Sequence, residues 1–400
     1  MRILFSSIHN YLDLGSGAAV TTREELLELV RRGHQARTLC GALFDGVRVG
    51  EEELGKTLGR LGIPAQRNLT TVEVGGVRLT FKLYRFNDSG IDSTVFIPLD
   101  ESGRETNWRV EAEKTFLAAL EEEFSEFSPE IFASYGGQRT VVASALKAKR
   151  RGIKSVFMLH NLSYRDPKLF ENFDMVVVPS EYVRRRYREM LGFDARVLAP
   201  LIAPEKVVAT ERIPRFLTFV TPTVEKGLYF FIGIARELGA KRPDIPILLV
   251  EGRGKIQRLA AIPEARELTN LHVLERVESP ALFFRETRLL LVPSLCEETF
   301  GRVVVEAGLN GIPALCSDRG AIPEVVGDEN LILSIPPRFT PATREVPTSE
   351  EVENWLTAII ALWDDSERLA FLGAQLRKHV SRYEKDVVAS RLETILKELL

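Results

Sequence analysis

Two glutamates, Glu298 and Glu306, stand with seven residues between them in the run PSLCEETFGRVVVEAGLNGIPAL, which follows the apolar segment Leu289–Val292. Phe300 and Gly301 lie between the two acids. A glycine at 301 leaves the backbone open where a helix should start. The first N–H groups of a helix, with the positive end of its dipole, suit a phosphate. Glu306 then falls one to two turns into that helix. Its carboxylate oxygens only accept hydrogen bonds, so they fit a vicinal diol such as ribose O2′ and O3′. Glu298, ahead of the helix, points toward whatever is joined to the phosphates. A lysine, Lys226 in FVTPTVEKGLYFF, also precedes a helix-like stretch. His160, in FMLHN, follows a strand-like run.

The elements that must position these groups alternate along most of the chain. Ile3–Ser7, Gln35–Cys40, Ile131–Ser134, Ser155–Leu159, Asp174–Pro179 and Arg196–Ala199 read as strands. Thr21–Arg32, Arg109–Phe124 and Thr140–Arg151 read as helices. A proline-bearing stretch, Pro200–Pro214, reads as a linker, and the pattern then starts again. Phe216–Val220, Ile247–Val250, His272–Leu274, Leu289–Val292 and Ala314–Ser317 read as strands, Tyr229–Leu238 and Gly301–Leu309 as helices. Such alternation gives βαβ units and parallel sheets with helices on both faces. Glu351–Leu400 reads as helical throughout. Gly41–Asn107 mixes strands with a long loop, and Ser334–Pro347 reads as an exposed proline-rich stretch. Open α/β sheets bind ligands beyond the carboxyl ends of their strands. Each chemical residue above follows a strand.

The segment from Pro293 to Leu315 resembles the E-x7-E motif of retaining, nucleotide-sugar-dependent glycosyltransferases of family four, the "glycosyl transferases group 1" type. The following DRGAIPEVVGD, with Gly320 and Glu324, is similar to that family's next block. Residues 1–40, with GSGAAV from Gly15 to Val20, look like its glycine loop and first helix. FDMVVVPSEYVRR, with Ser180, matches a structural element of the family.

The resemblance implies a GT-B fold: two Rossmann-like domains facing across a cleft, with a C-terminal helix returning to the first domain. It implies an N-terminal domain over 1–203, a nucleotide-sugar domain over 204–383 and the returning helix over 384–400. It assigns His160 and Glu298 to the transferred sugar as catalytic residues. Donor-binding roles fall on Ser16, Gly17, Lys226, Phe300, Gly301 and Glu306. Two departures stand out. Ser16 replaces a usual second glycine, and Thr221–Pro222 replaces a usual Gly-Arg pair before the lysine. The second phosphate cation must come from elsewhere, and Arg253 in VEGRGK is the first candidate and Arg302 the second.

The implied reaction moves a sugar from a nucleoside diphosphate donor, a UDP-sugar before a GDP-sugar, to an acceptor hydroxyl with retention of configuration. The acceptor, a sugar, a lipid-linked sugar or a small molecule, is not specified by these residues. The rivals are a GT-B sugar phosphorylase, a nucleotide-sugar epimerase and a non-catalytic sugar-nucleotide-binding partner. An inverting enzyme would need an early base, and His9 and Asp13 stand near the first strand for that role.

Composition narrows the classes further. The chain has 400 residues, enough for two or three domains, with 53 basic and 56 acidic residues and a net charge of −3. A nucleic-acid partner usually calls for a strongly basic domain, so none is expected. Cys40, Cys296 and Cys316 are too scattered for a disulfide framework. The five histidines show no metal-ligand spacing, and no Asp-x-Asp pair occurs. No cofactor and no metal are expected. The N-terminus lacks a leader's long apolar run. A cytoplasmic protein is expected, with contact at the inner membrane face through Lys147–Lys154 and Arg184–Arg188 as the less favoured reading.

Overall fold

The computed structural model describes residues 1–400 apart from 45, 46, 49, 75, 76, 101, 107, 109, 253–255, 276 and 278. The chain forms two compact units. The first comprises Met1–Pro179, Arg184–Leu201 and Ala389–Leu400, the second Ser180–Val183 and Ile202–Val388.

The first unit holds strands β1 (Arg2–His9), β2 (Gln35–Phe44), β3 (Val47–Arg48), β4 (Ala65–Val74), β5 (Val77–Asp88), β6 (Ile91–Pro98), β7 (Ile131–Ser134), β8 (Lys154–Met158), β9 (Met175–Val178) and β10 (Arg196–Val197). Among the described residues they form one sheet in the order β10-β9-β8-β7-β1-β2-β6-β5-β4, with β3 beside β2. Pairing is parallel from β10 to β6. It turns antiparallel at β5 and β4. The central strand β1 is buried from Ile3 to Ile8, as a strand covered on both faces must be. It pairs with β2 on one side and β7 on the other, with Ile3 opposite Ile131. Strand order reverses between β1 and β7, so the loops after these two strands open at the switch point.

Gly41–Asn107 departs most from the expectation. It holds the helix Glu51–Arg60 and the long hairpin β4–β5. The helix buries only Leu54 and Leu58, too few apolar positions to announce a helix in the sequence. The helix Gly17–Arg31 starts four residues before the expected one, because the Ser16 hydroxyl caps it by accepting from Ala19 N–H at 3.5 Å.

The second unit holds β11 (Phe216–Val220), β12 (Ile247–Val250), β13 (Leu271–Leu274), β14 (Thr287–Val292), β15 (Ala314–Ser317) and β16 (Ile332–Leu333). Among the described residues the order is β13-β12-β11-β14-β15-β16, parallel throughout. This is the doubly wound order 3-2-1-4-5-6, which reverses between β11 and β14. The stretch Ser334–Pro347 is mostly exposed, as expected, and is anchored at three buried residues, Ile335, Phe339 and Pro347. Ile335 and Phe339 are buried, and a Cβ on Gly233 would come within 2.3 Å of the Pro347 ring. The helical C-terminal segment comprises three helices, Ser349–Asp364, Ser366–Val380 and Lys385–Leu399. Asp365 breaks the first from the second and caps the second through Arg368 N–H at 2.8 Å. Ala389–Leu400 groups with the first unit, where Glu393 lies 3.3 Å from His34 Nε2 and 3.4 Å from Arg32. No described helix is long and apolar enough to cross a membrane.

Candidate active site

In the second unit, loops after β11, β14 and β15 meet at the carboxyl end of the sheet. Leu295 and Cys296 N–H both donate to the Glu225 carbonyl, at 2.9 and 3.1 Å, tying the β14 loop to the β11 loop. Gly227 starts the helix Leu228–Lys241 with φ +86°, and a Cβ there would lie 1.9 Å from the Pro293 carbonyl oxygen. Only glycine allows that approach. Gly320, with φ +67°, closes the third side, since a Cβ would meet the Glu298 backbone at 2.3 Å. Ala321 N–H then donates to the Glu298 carbonyl at 2.8 Å.

This packing brings Lys226 and Glu298 together. The Lys226 ammonium donates to Glu298 Oε1, which also accepts from Ser294 Oγ at 2.6 Å. Ser294 is itself held through its carbonyl by Ser317 Oγ at 2.8 Å. Burial works against the Lys226 charge, but the Glu298 carboxylate outweighs it and holds the ammonium above the ordinary lysine value. Burial, with Glu298 second, pushes the nearby Cys296 thiol up, so it stays protonated at neutral pH.

Gly301 caps the helix Arg302–Leu309 from the left-handed region, φ +95°. Arg302 Nε lies 3.7 Å from Glu306 Oε1, one turn along the same face. Glu306 is largely buried, with its side chain 12% exposed. The Phe300 ring is buried and packs edge-on against Tyr383 at 5.1 Å, so a donor there would meet its backbone rather than its ring. Arg253 lies outside the described residues. Glu324 accepts the N–H groups of Glu181 and Tyr182 at 3.1 and 3.0 Å, and Ser180 Oγ donates to the Thr299 carbonyl at 2.7 Å. Thr221 sits at φ +63°. A β-branched residue there is strained by about 1–3 kcal/mol. Its hydroxyl is accommodated because Gly252 opposite has no Cβ, which would lie 2.2 Å from Thr221 Oγ1.

In the first unit, the loops after β1, β7 and β8 enclose a cavity of about 370 Å³. Ser16 and His160 line it, as do His9, Asn10, Asp13, Tyr135, Gln138 and Tyr164. Gly17 is the first residue of the helix that begins there. Gln138 Nε2 lies 2.9 Å from His9 Nε2. Tyr135 stands between two imidazoles, 6.1 Å from His9 and 5.5 Å from His160 between ring centres. Gly136 and Gly137 make room, since a Cβ on Gly137 would meet the Tyr164 ring at 2.9 Å. Asp13 Oδ1 accepts from Gly15 N–H at 2.8 Å. Of these residues, the sequence reading missed Asn10, Tyr135, Gln138 and Tyr164, and kept His9 and Asp13 only for the inverting alternative. Each lies just after a strand flanking the reversal between β1 and β7, or after β8 beside it, a pairing that the sequence does not announce locally.

Residues 214–365 match the family described as Glycosyl transferases group 1. Over that segment the chain resembles the group 1 glycosyltransferases. It is 26% identical over 257 residues to a GDP-mannose-dependent monoacylated alpha-(1-6)-phosphatidylinositol monomannoside mannosyltransferase of Corynebacterium glutamicum, covering 57% of this chain and 63% of that one. It is 25% identical over 283 residues to a D-inositol 3-phosphate glycosyltransferase of Rhodococcus erythropolis, covering 66% and 56%. The chain thus spans about three fifths of the length of these curated relatives. A glycosyltransferase structure from Rickettsia africae superposes with a TM-score of 0.70 at 14% identity, over 100% of this chain and 98% of that one. That likeness shows the fold, the GT-B class with two Rossmann-like domains.

Proposed function

We propose that this chain is a group 1 glycosyltransferase that moves a sugar from a nucleoside diphosphate donor to an acceptor hydroxyl, with retention of anomeric configuration and without a metal. The observation that carries the reading is the gathering of Lys226, Glu298 and the Gly301–Glu306 helix start at the carboxyl end of a doubly wound sheet. In this reading Glu306 takes the ribose diol and the helix start takes the diphosphate. Arg253 is the first candidate for the second cation and Arg302 the second. Glu298 faces the sugar, and its carboxylate is oriented by Ser294 and Lys226. His160 acts on the sugar as well.

The bond from the anomeric carbon to the leaving phosphate oxygen breaks, and a bond to the acceptor oxygen forms on the same face. The acceptor's proton passes to the leaving phosphate. Charge grows on the diphosphate as the bond breaks, so Lys226 contributes most at the transition state. Uridine is proposed as the donor base, with guanosine second.

A panel of UDP, GDP, ADP and dTDP in a thermal-shift assay tests donor binding. A ligand at about 100 times its Kd adds ~2.7 kcal/mol to stability. The expected result is one nucleotide raising the melting temperature well above the others, followed by sugar transfer from its sugar ester. Donor turnover without any acceptor would favour an epimerase, and a requirement for inorganic phosphate a phosphorylase. The cavity lined by His9 and Asp13 favours one second reading, an inverting enzyme with one of them as base. Product stereochemistry separates it from retention.

A further inference from the structure

We infer that Tyr383, in the turn Ser381–Tyr383, is a positioning residue for donor binding, and that it holds the donor helix start in place only while His379 carries no proton on Nε2. The inference rests on the reading that the segment from Glu298 to Glu306 binds the donor.

Two contacts carry the turn's influence to that segment. Tyr383 is buried, and its ring meets the Phe300 ring edge-on at 5.1 Å, one residue ahead of the Gly301 cap. Arg382 Nη2 donates to the Glu324 carbonyl at 2.8 Å. Glu324 belongs to the helix Ile322–Val326, and Ala321, just ahead of that helix, donates to the Glu298 carbonyl at 2.8 Å. The turn therefore backs both ends of the loop that runs from Glu298 to Gly301. It is anchored in turn by the helix Ser366–Val380, which packs so closely on the helix Arg302–Leu309 that a Cβ on Gly308 would lie 2.8 Å from the Val380 side chain. The Arg382 guanidinium also stacks over the Tyr383 ring, 4.8 Å from its centre, so the two residues move together.

His379 governs whether Arg382 stays. Its Nε2 lies 2.6 Å from Arg382 Nη2 and 3.2 Å from the Glu324 carbonyl oxygen. A guanidinium only donates, so Nε2 accepts and the ring's proton sits on Nδ1. Gly327, at φ +66°, makes room for the imidazole, since a Cβ there would lie 2.0 Å from its Cε1. A proton on Nε2 turns the acceptor into a donor and sets two cations against each other. The imidazolium then takes the Glu324 carbonyl, and Arg382 is driven off with the Tyr383 ring it covers. Other charged groups on the surrounding elements do not offset this. The Glu324 carboxylate accepts from Glu181 and Tyr182 N–H, and the Asp328 carboxylate from Asn330 N–H. Arg302 and Glu306 on the facing helix lie 3.7 Å from each other, and Arg377 and Lys378 on the ring's own helix only add positive charge. Burial holds His379 below the ordinary imidazole value, with the Glu324 carbonyl acting against it and Arg382 acting with it. The clamp is therefore complete at neutral pH and is lost as pH falls below about 6.5.

The test measures Kd by calorimetry on the full chain for UDP-glucose, GDP-mannose, ADP-glucose and dTDP-glucose, at pH about 8 and about 5.5. Each probe is a diphosphate diester, so none carries the terminal phosphate proton that titrates at about pH 6. The Kd of the probe that binds should rise about tenfold at the lower pH, the weakening expected when binding must expel one proton from His379. His379→Gln keeps an acceptor for Arg382 and takes up no proton, so its rise should stay within about twofold. At the higher pH, Tyr383→Leu should weaken binding about three- to tenfold, the scale of one edge-on ring contact, and Tyr383→Phe, which keeps the ring, should recover most of that loss. Circular dichroism at each pH checks that the proteins compared are folded. A folded wild-type protein whose Kd is level between the two pH values overturns the inference, as does an equal rise in His379→Gln. So does a folded Tyr383→Leu protein with wild-type affinity, and if that variant does not fold the pH comparison alone decides. Each of these results leaves the transfer reading standing, because the probe still binds at the higher pH. Binding by none of the four probes at the higher pH overturns the transfer reading itself, and this inference falls with it.

Discussion

The two sheets reverse strand order in the same way, between β1 and β7 in one unit and between β11 and β14 in the other. What gathers at the two reversals differs. The second unit presents an ammonium against a carboxylate, a helix start capped by glycine, and Thr221 in the left-handed region. The first presents amides, phenols and imidazoles around one carboxylate. One topology therefore carries two different sets of groups, and the loop residues decide which. A site built to meet a diphosphate needs fixed positive charge. A site built for ring hydroxyls needs a mixture of neutral donors and acceptors.

The sharpest way to break this contrast is at Lys226. Lys226→Ala should lower turnover by about 10²–10³ and donor affinity by much less, because its partner charge grows as the bond breaks. Initial rates at saturating donor are the check, and near-normal turnover would move the role to Arg253 or Arg302.

Backbone geometry gives the next largest effect. Gly227→Ala forces a Cβ to within 1.9 Å of the Pro293 carbonyl, at a left-handed position. A loss of several kcal/mol in urea unfolding is expected, beyond the ordinary range for one substitution. A variant within about 1 kcal/mol of wild type would show that the β11 and β14 loops are held apart.

The glutamates separate binding from chemistry. Glu306→Ala should cost nucleotide binding about 1.5–3 kcal/mol, through the lost charged acceptor. Glu298→Ala should bind free nucleotide nearly normally and fail to transfer. Calorimetry with the nucleotide alone distinguishes them, and equal losses would contradict the roles. In the same assay His160→Ala should leave free-nucleotide affinity unchanged, since that residue belongs to the first unit's cavity.

The smallest effect is on pH dependence. The Lys226 ammonium is held above its ordinary value, so its contribution is present at neutral pH and is lost only as pH rises through the alkaline lysine range. Nucleotide binding should stay level between pH 7 and 9, to the extent that Lys226 governs it, and a fall centred near neutrality would assign the charge to another group.

Much of the second unit was legible because its strands β11, β12, β14 and β15 are short, apolar and buried, and because Glu298, Gly301 and Glu306 lie within one strand-loop-helix segment. The first unit's cavity was legible only in part, at Ser16, His160, His9 and Asp13. His9 and Gln138 are 129 residues apart in sequence and meet only because β1 pairs with β7. Nothing local to either residue announces that pairing. The hairpin β4–β5 escaped for another reason. Its strands belong to the antiparallel edge of the sheet, and β4 is exposed from Ala65 to Leu69, so no continuous apolar run marks them.

The most direct test of the central claim is the anomeric configuration of a product made by the full chain. Fresh product from the donor that the nucleotide panel selects is examined by proton NMR, through the anomeric coupling constant of a gluco- or galacto-type sugar. The account predicts a new glycoside with the donor's own configuration, formed with EDTA present and absent with Glu298→Ala. An inverted glycoside would contradict it and pass the chemistry to His9 or Asp13. No glycoside from any nucleoside diphosphate donor would contradict it outright.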